Sequence, residues 1–538
     1  MRGRYLGVDS SPRERRATKS MNMNQELSRN ESWFGGGMKW VWLIAAAKLA
    51  LHLSVAWRYG YFGDELYHLA CGEHLDWGYV DQPPLIALIA WIVRHTLGES
   101  LPAIRFFPAV AGAALAVLAG ATARELGAKA FGMALAALST ATIGVLFVMQ
   151  YLFTMNAFEP LFWLGCAYLL VRIINTGNQK LWLAFGALAG LGLQNKYSMG
   201  VFGTGLVLGL LLSSQRKMLA QKWIYVGGAV AALIFLPNVI WNIQHGWPFF
   251  ELMRNIRASG RDVVLNPLAF LGHQILLIGP VHFPIWASGA LYLLVAEKTK
   301  PFRALGWAFL FTLAFFILSK GKDYYVAPAF PVALIGGAVA IELWTERASW
   351  RWLRVTLPAL LLIVTISLLP IMLPVLSVEQ LLVYLDKVPF EVPASEVGHR
   401  AAKLPHHYAW QFGWPELVES TARVYNNLPP EERAKAGILG NNFGQSGAID
   451  LLGPKYGLPK SIGVHQSYWL WGPREYTGEV LLVLGDTPEG LSRWCESVEI
   501  GADLHPQYAR PRERWTVLIC RGMKMNVREA WPLVKNWN

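Results

Sequence analysis

The chain has 538 residues, 54% of them hydrophobic and only 16% charged, with a mean hydropathy of +0.32. Soluble domains carry roughly 25% charged residues, so a purely soluble fold is excluded. The net charge of +12 would suit nucleic acid in a soluble domain, but here Lys and Arg fall in short breaks between apolar runs, and no nucleic-acid partner is expected.

Residues 1–37 are polar and carry Arg2, Arg4, Arg13, Arg15 and Arg16. The first apolar run starts near Trp40 and no small-residue cleavage site follows it, so it reads as a retained signal-anchor. Apolar runs long enough to cross a bilayer, or nearly so, are expected over 39–58, 103–123, 129–149, 156–174, 181–195, 198–213, 223–241, 267–296, 304–319, 325–344 and 355–376, about eleven in all. The run 84–93 is too short to cross and reads as an interfacial helix.

Alternation of these spans puts one set of basic breaks on a single side: Arg124 with Lys129, Arg172 with Lys180, Arg216 with Lys217 and Lys222, Lys298 with Lys300 and Arg303, and Arg347 with Arg351 and Arg354. The N-terminal tail belongs with them, and the positive-inside rule makes that side the cytoplasm. The opposite side receives loops 59–102 and 242–266 and the tail 377–538. The tail mixes strand-like Val480–Leu484 and Trp515–Cys520 with helix-like Val378–Leu385 and Pro488–Val498, as a small α/β domain would.

The expected fold class is therefore mainly α, a polytopic helical membrane protein with a C-terminal extracytoplasmic α/β domain. Its parts are a cytoplasmic tail 1–38, a membrane domain 39–376 and an outer domain 377–538. Cys495 and Cys520 both lie in the outer domain, where an oxidising compartment permits a disulfide, although spacing alone leaves bonded and free thiols open.

The first outer loop reads Tyr61-Phe62-Gly63-Asp64-Glu65-Leu66-Tyr67-His68 and then Gly78-Tyr79-Val80-Asp81-Gln82-Pro83-Pro84-Leu85. Adjacent Asp64 and Glu65 repel each other, which raises one pKa toward the range of a general base; a solvated acidic loop is the alternative. Lys196, Lys320 and Lys322 are cations on the side that should carry few, which calls for an anion such as a lipid phosphate or for salt bridges to carboxylates. Tyr67, Tyr79, Trp241, Trp247, Tyr468, Trp469 and Trp471 offer rings for a sugar or for an interface belt. His68, His245 and His282 are the histidines considered as metal ligands. No metal is assigned, and a divalent cation stays compatible with the sequence.

Asp64-Glu65-x-Tyr67 after the first span, followed by Gly78-Tyr79-x-Asp81-x-Pro83-Pro84-Leu85, resembles the family 39 and lipid A aminoarabinose-transferase-like glycosyltransferases, relatives of the dolichyl-phosphate-mannose–protein mannosyltransferases. Gly190-Leu191-Gly192-Leu193-Gln194-Asn195-Lys196-Tyr197 is similar to a second family stretch, with Gln194 and Asn195 where relatives often have Leu and then Ser or Thr. Leu236-Pro237-Asn238 with Trp241-Asn242, Lys322-Asp323-Tyr324-Tyr325 with Pro328 and Pro331, and Asn441-Asn442-Phe443-Gly444-Gln445-Ser446-Gly447-Ala448 resemble further stretches of bacterial members.

The resemblance implies a GT-C fold and inversion at the anomeric carbon. It implies a polyprenyl-phosphate sugar donor and a lipid, glycan or protein acceptor, at the outer face of a bacterial inner membrane. It makes Asp64 the catalytic carboxylate with Glu65 beside it, and puts Lys196, Lys322 and Tyr325 on the donor phosphate. Tyr67, Tyr79, Asp81, Asn156 and Glu159 would contact substrate; Asn156 stands where many relatives have Asp, with Glu159 one turn on. A transporter or lipid flippase and a non-catalytic scaffold are the competing readings. Transport calls for charge deep inside spans, and Lys48 is the clearest such residue, with Arg105, Glu159, Arg172 and Glu342 near span ends.

Overall fold

A computed structural model describes residues 35–390, 392, 402–511 and 513–538. Most of the N-terminal tail, and so the sequence reading of it, lies outside the described residues.

Seven helical stretches are long and apolar enough to cross a membrane: Met38–Val55, Leu101–Glu125, Met155–Thr176, Lys222–Gln244, Glu297–Leu318, Asp323–Trp344 and Ala348–Met372. Two more candidates are bent pairs, Ala130–Ala141 with Gly144–Tyr151 at 62° and Pro267–Ile278 with His282–Val295 at 114°. The total of eleven is reached only by adding the shorter helices Leu181–Asn195 and Met199–Leu212. The straight span expected over 267–296 is corrected: Gly279 takes φ +123°, closed to a side chain with a Cβ, and the adjacent Pro280 removes a backbone donor. At the other break Lys48 Nζ donates to Ala141 O at 2.8 Å, placing a cation at a helix C-terminus, where the backbone dipole favours it.

Small residues let the membrane helices meet closely. The backbones of Gly289 and Ala333 come so near that a Cβ on Gly289 would overlap Ala333 O. Leu85–Thr96 follows Pro83-Pro84 as a separate short helix, as the sequence indicates.

The C-terminal domain holds one five-stranded sheet, ordered β2-β1-β3-β5-β4. Its strands are β1 (Ala436–Gly440), β2 (Ile462–Gly463), β3 (Val480–Leu484), β4 (Cys495–Asp503) and β5 (Thr516–Met523). β1 pairs in parallel with β2 and β3, while β5 runs antiparallel to β3 and β4. The helix expected over Pro488–Val498 is corrected: only Pro488–Leu491 is helical, and Cys495 opens β4. From there the chain is an edge strand paired with β5, with Glu496, Ser497, Glu499 and Ile500 all exposed. Cys495 and Cys520 form a disulfide with Cα atoms 5.7 Å apart.

The two parts pack tightly. Helix Phe443–Leu452, which follows β1, lies on helix Gly63–Glu73 of the first outer loop, with a Cβ at Gly447 falling 2.9 Å from Leu66 Cβ. Trp410 covers Gly63 in the same way, 2.5 Å from a Cβ placed there. The outer domain thus rests on the turn that carries Asp64.

Candidate functional site

A cavity of about 2640 Å³ lies between the membrane helices and the C-terminal domain. Asp64, Asp81, Asn156, Lys196, Lys322 and Tyr325 all line it, although they come from four separate stretches of chain. One side is apolar, with Val148, Leu276, Phe315, Val364, Leu368 and Ile371 from four membrane helices. The polar side carries an excess of cations, including Arg254, Arg257, Arg261, Lys320, Arg510 and Arg514 beside the lysines already named.

Asp64 and Glu65 open helix Gly63–Glu73, where acidic side chains suit the N-terminal dipole. Successive helical residues point in different directions, and here that separates their roles. Asp64 is half-buried and reaches the cavity. Glu65 is fully buried and turned away. Arg105 grips it through Nε to Oε1 at 2.9 Å and Nη2 to Oε2 at 2.8 Å. The amides of Phe62 and Phe153 donate to the same carboxylate, each at 2.9 Å. The Arg105 guanidinium thus sets a positive charge against the Glu65 carboxylate beside Asp64.

The Asp81 carboxyl has a raised pKa, pushed up to about 6 by burial and by the neighbouring Asp64 charge, against the hydrogen bond from Tyr67 and the nearby His68. Tyr67 OH donates to Asp81 Oδ1 at 2.8 Å and lies 2.7 Å from Ser467 Oγ of the outer domain. Tyr67 is buried behind the wall. Tyr79 is buried as well, its hydroxyl on the Cys71 and His74 carbonyls at 3.0 and 2.9 Å, where it pins the loop.

The Gln194-Asn195-Lys196 break is stitched to the start of helix Met155–Thr176: Asn195 Nδ2 donates to Met155 O at 3.0 Å. Lys196 Nζ donates to Asn156 Oδ1 at 2.7 Å and to Glu159 Oε2 at 2.9 Å. It also stands 4.6 Å from the Tyr325 ring centroid. Glu159 is buried, bonded by Lys196 and the Ser198 hydroxyl, and supports Lys196 from behind. Tyr325 closes a turn that begins at Lys322, its amide donating to Lys322 O at 3.1 Å. Lys322 Nζ pairs with Asp262 Oδ1 at 3.2 Å. Asp323 anchors the turn through His273 Nδ1 at 2.9 Å.

None of the seven aromatics proposed for sugar stacking lines the cavity; Trp410, Phe443 and His465 do. Trp241 instead bonds Asp76 Oδ2 at 2.7 Å, and Asn238 bonds Trp77 O at 2.8 Å, so that motif clamps the first loop. No group of three or more metal-ligating side chains occurs among the described residues. His68 Nδ1 faces Phe153 O at 3.0 Å, His245 Nδ1 faces Trp241 O at 2.8 Å and His282 Nε2 faces Thr142 Oγ1 at 3.0 Å, three separate places.

Residues 81–241 match the family model described as dolichyl-phosphate-mannose-protein mannosyltransferase. The lipid A galacturonosyltransferase RgtD of Rhizobium johnstonii is 28% identical over 238 residues, 42% of this chain and 49% of that protein. The alignment thus spans about half the length of this curated relative. The crystal structure of ArnT from Cupriavidus metallidurans bound to undecaprenyl phosphate superposes with a TM-score of 0.57 and 14% identity, covering 90% of this chain and 98% of that one.

The chain is similar to that family over residues 81–241 and shares the fold of ArnT. An Archaeoglobus fulgidus oligosaccharyltransferase shares that fold more distantly, with a TM-score of 0.51 at 14% identity over 78% of this chain and 63% of that one. Arg105, Trp410 and the Arg254–Arg257–Arg261 series were not singled out from sequence as site residues. Arg105 carried one signal, a charge just inside an apolar run, and such charges are functional or paired.

Proposed function

We propose that this chain is an integral-membrane glycosyltransferase that moves a sugar from a polyprenyl-phosphate carrier to an acceptor hydroxyl, with inversion, at the outer face of a bacterial cytoplasmic membrane. The observation that carries this reading is one cavity that presents a carboxylate (Asp64), a cation set (Lys196 and Lys322 with Tyr325) and an apolar wall from membrane helices. A lipid-linked sugar phosphate needs those three environments together.

In this reading the isoprenoid chain lies on the apolar wall and its phosphate meets Lys196, Lys322 and Tyr325. Asp64 takes the proton of the acceptor hydroxyl as that oxygen bonds to the anomeric carbon. The bond from that carbon to the phosphate oxygen breaks, and the electron pair leaves on polyprenyl phosphate. Negative charge grows on this leaving group, and fixed cations beside it stabilise that growth. Asp81 is the second carboxyl at the reacting centre, and Asn156 orients Lys196. Glu65, Glu159, Tyr67 and Tyr79 are positioning residues.

The topology follows: the N-terminal tail on the cytoplasmic side, eleven spans including the two short helices, and the outer domain on the far side. The Cys495–Cys520 disulfide supports an oxidising compartment for that domain.

Membranes enriched in the protein, given a radiolabelled polyprenyl-phosphate hexose, test the reading. Wild type should remove label from the carrier, while Asp64→Asn should lower the rate by about 10²- to 10⁴-fold, the usual worth of a general base, at a normal protein level. Equal loss in both would remove Asp64 from the chemistry. No loss in either across a panel of donor sugars would favour a transporter.

A further inference from the structure

A second hollow, of about 370 Å³, shares no lining residue with the large cavity. Ile285 and Ser288 line it from helix His282–Val295, Ile341 from helix Phe330–Trp344, and Leu353 and Leu357 from helix Leu353–Met372. The first two of these helices meet backbone to backbone, since a Cβ on Gly337 would overlap Ile285 O. The third stands off. Of its 20 residues only Leu361, Thr365, Ile371 and Met372 are buried. The hollow is the slot between the tight pair and the loose helix. Ser288 Oγ donates to Ile285 O at 2.9 Å, so the slot walls present hydrocarbon and no unspent hydroxyl.

The mouth of the slot is the turn between Trp344 and Leu353, where Trp344, Arg347 and Trp350 line it. Trp344, Trp350 and Trp352 are all exposed, as tryptophans are at the border between hydrocarbon and water. Arg347 and Arg351 are exposed as well, and neither has an ion pair among the described residues. The other charges of this turn are engaged. Lys129 Nζ pairs with Glu346 Oε1 at 3.0 Å, and Arg354 Nε donates to Thr345 Oγ1 at 2.8 Å. The Glu342 carboxylate accepts from the amides of Lys129 and Gly132 at 2.6 and 2.7 Å. The Glu346 carboxyl is held below its ordinary value by the hydrogen bond from Lys129 and by the charges of Lys129, Lys298 and Arg354, against burial. Both acids are thus spent, and two arginines remain over an apolar slot.

That arrangement matches an amphiphile with an anionic head. Basic pockets between membrane helices on the cytoplasmic side hold anionic lipid head groups, and the positive-inside reading puts this turn on that side. A guanidinium donates to two phosphate oxygens at once. A zwitterionic lipid carries its own cation beside the phosphate and gains less from two free arginines. An α-helix of a partner protein is about 10–12 Å across with its side chains and does not enter a slot of this size, whereas an acyl chain does.

We propose that the slot between helices His282–Val295, Phe330–Trp344 and Leu353–Met372 binds an anionic glycerophospholipid, with one acyl chain in the slot and the phosphate on Arg347 and Arg351. The site is separate from the large cavity and stands without the transferase reading. It touches a shared element, however. Helix His282–Val295 begins at His282, which lines the large cavity together with Gly279 and Pro280 of the bend. A lipid in the slot therefore packs on the helix whose bend forms part of the cavity wall.

The test is binding, so that it stands apart from turnover. Full-length protein in mild detergent is titrated with phosphatidylglycerol or phosphatidylcholine of matched acyl chains, and native mass spectrometry reads the dissociation constant of the first bound lipid. Wild type should bind phosphatidylglycerol about 10-fold more tightly than phosphatidylcholine, and Arg347→Gln should weaken phosphatidylglycerol by about 5- to 10-fold, the worth of one basic residue at an anionic lipid surface. Leu357→Trp, which fills the slot, should weaken it as well; Leu353→Trp repeats the measurement should Leu357→Trp elute as aggregate. Arg216→Gln, at an exposed arginine of another basic break, should change nothing. Equal affinity for the two lipids, or phosphatidylglycerol binding unchanged in Arg347→Gln, overturns the site. Equal losses in Arg347→Gln and Arg216→Gln assign the lipid to overall charge and overturn it too, as does unchanged binding in a folded slot-filling variant. Undecaprenyl phosphate that excludes phosphatidylglycerol and is itself weakened by Arg347→Gln gives the slot to the carrier lipid and overturns the glycerophospholipid assignment.

Discussion

Replacement of Arg105 by Met separates structural support from chemistry at the Asp64-Glu65 pair. Arg105 is 1% exposed and Glu65 0%. Besides Glu65, the guanidinium donates to the carbonyls of Ala56, Arg58 and Gly60 at 3.1, 3.2 and 2.7 Å, and so shapes the link from the first span to the Asp64 helix. Removing one partner of a buried pair costs about 3–5 kcal/mol, because the other charge stays buried without compensation. Against a typical total of about 5–15 kcal/mol, that loss is large. Arg105→Met should shorten the survival of the monodisperse peak of detergent-solubilised protein on heating, followed by fluorescence-detected size exclusion. Glu65→Gln added to Arg105→Met removes the stranded charge and should restore part of the loss, a coupling of about 1–3 kcal/mol. Glu65→Gln alone should keep measurable transfer. A folded Glu65→Gln protein that binds donor yet loses transfer by about 10³-fold, the scale of a missing base, would refute the support role. So would Arg105→Met protein as heat-resistant as wild type.

Tyr67→Phe should move the acid limb of the transfer pH profile upward, because Tyr67 and His68 hold down an Asp81 carboxyl that burial and Asp64 push up to about 6; an unmoved or lowered limb refutes it. With the folded pKa above the ordinary 3.8, Asp81 favours the folded state most below pH 3.8 and loses that contribution as pH rises through about 6. Lys196→Met should raise the donor KM by about 10- to 100-fold, as expected for a charge-assisted hydrogen bond, with Lys196→Arg intermediate; an unchanged donor KM removes Lys196 from the phosphate. Cys495→Ser should destabilise the outer domain by ~3.5 kcal/mol, from the closure entropy of a 25-residue separation; resistance to limited proteolysis equal to that of wild type would contradict it.

Much of the site was legible because its residues break local rules. Lys196 is a cation between two apolar helices, and Asp64 follows directly on an apolar run. Each stands out within a short window, and each lines the cavity. Glu65 shows the limit of such reading. It is adjacent to Asp64 and of the same chemical type, yet one step of helical rotation sends it to Arg105, 40 residues away in sequence. The Asp81 pKa is raised by burial and the Asp64 charge and held down by Tyr67, a partner 14 residues distant. Tyr67 and Tyr79 were candidates for substrate and became struts, since their hydroxyls found polar partners inside the wall. Strands β3 and β5 are continuous apolar runs that periodicity detects. The two-residue β2 has no pattern to detect, and β4 follows a helical turn with charged residues on both faces.

By itself the sequence determined that the chain lives in a membrane, which stretches are apolar enough to be candidate spans, and where cations and carboxylates collect. Those are consequences of transfer free energy per segment, and each segment carries its own. Tertiary structure alone decided which carboxylate faces the cavity, where apolar runs bend, and that the residues after β1 and β3 line the same cavity as Asp64. Those outcomes depend on contacts between groups hundreds of positions apart, such as Tyr67 with Ser467, 400 residues on. No local pattern encodes a partner that only folding brings near.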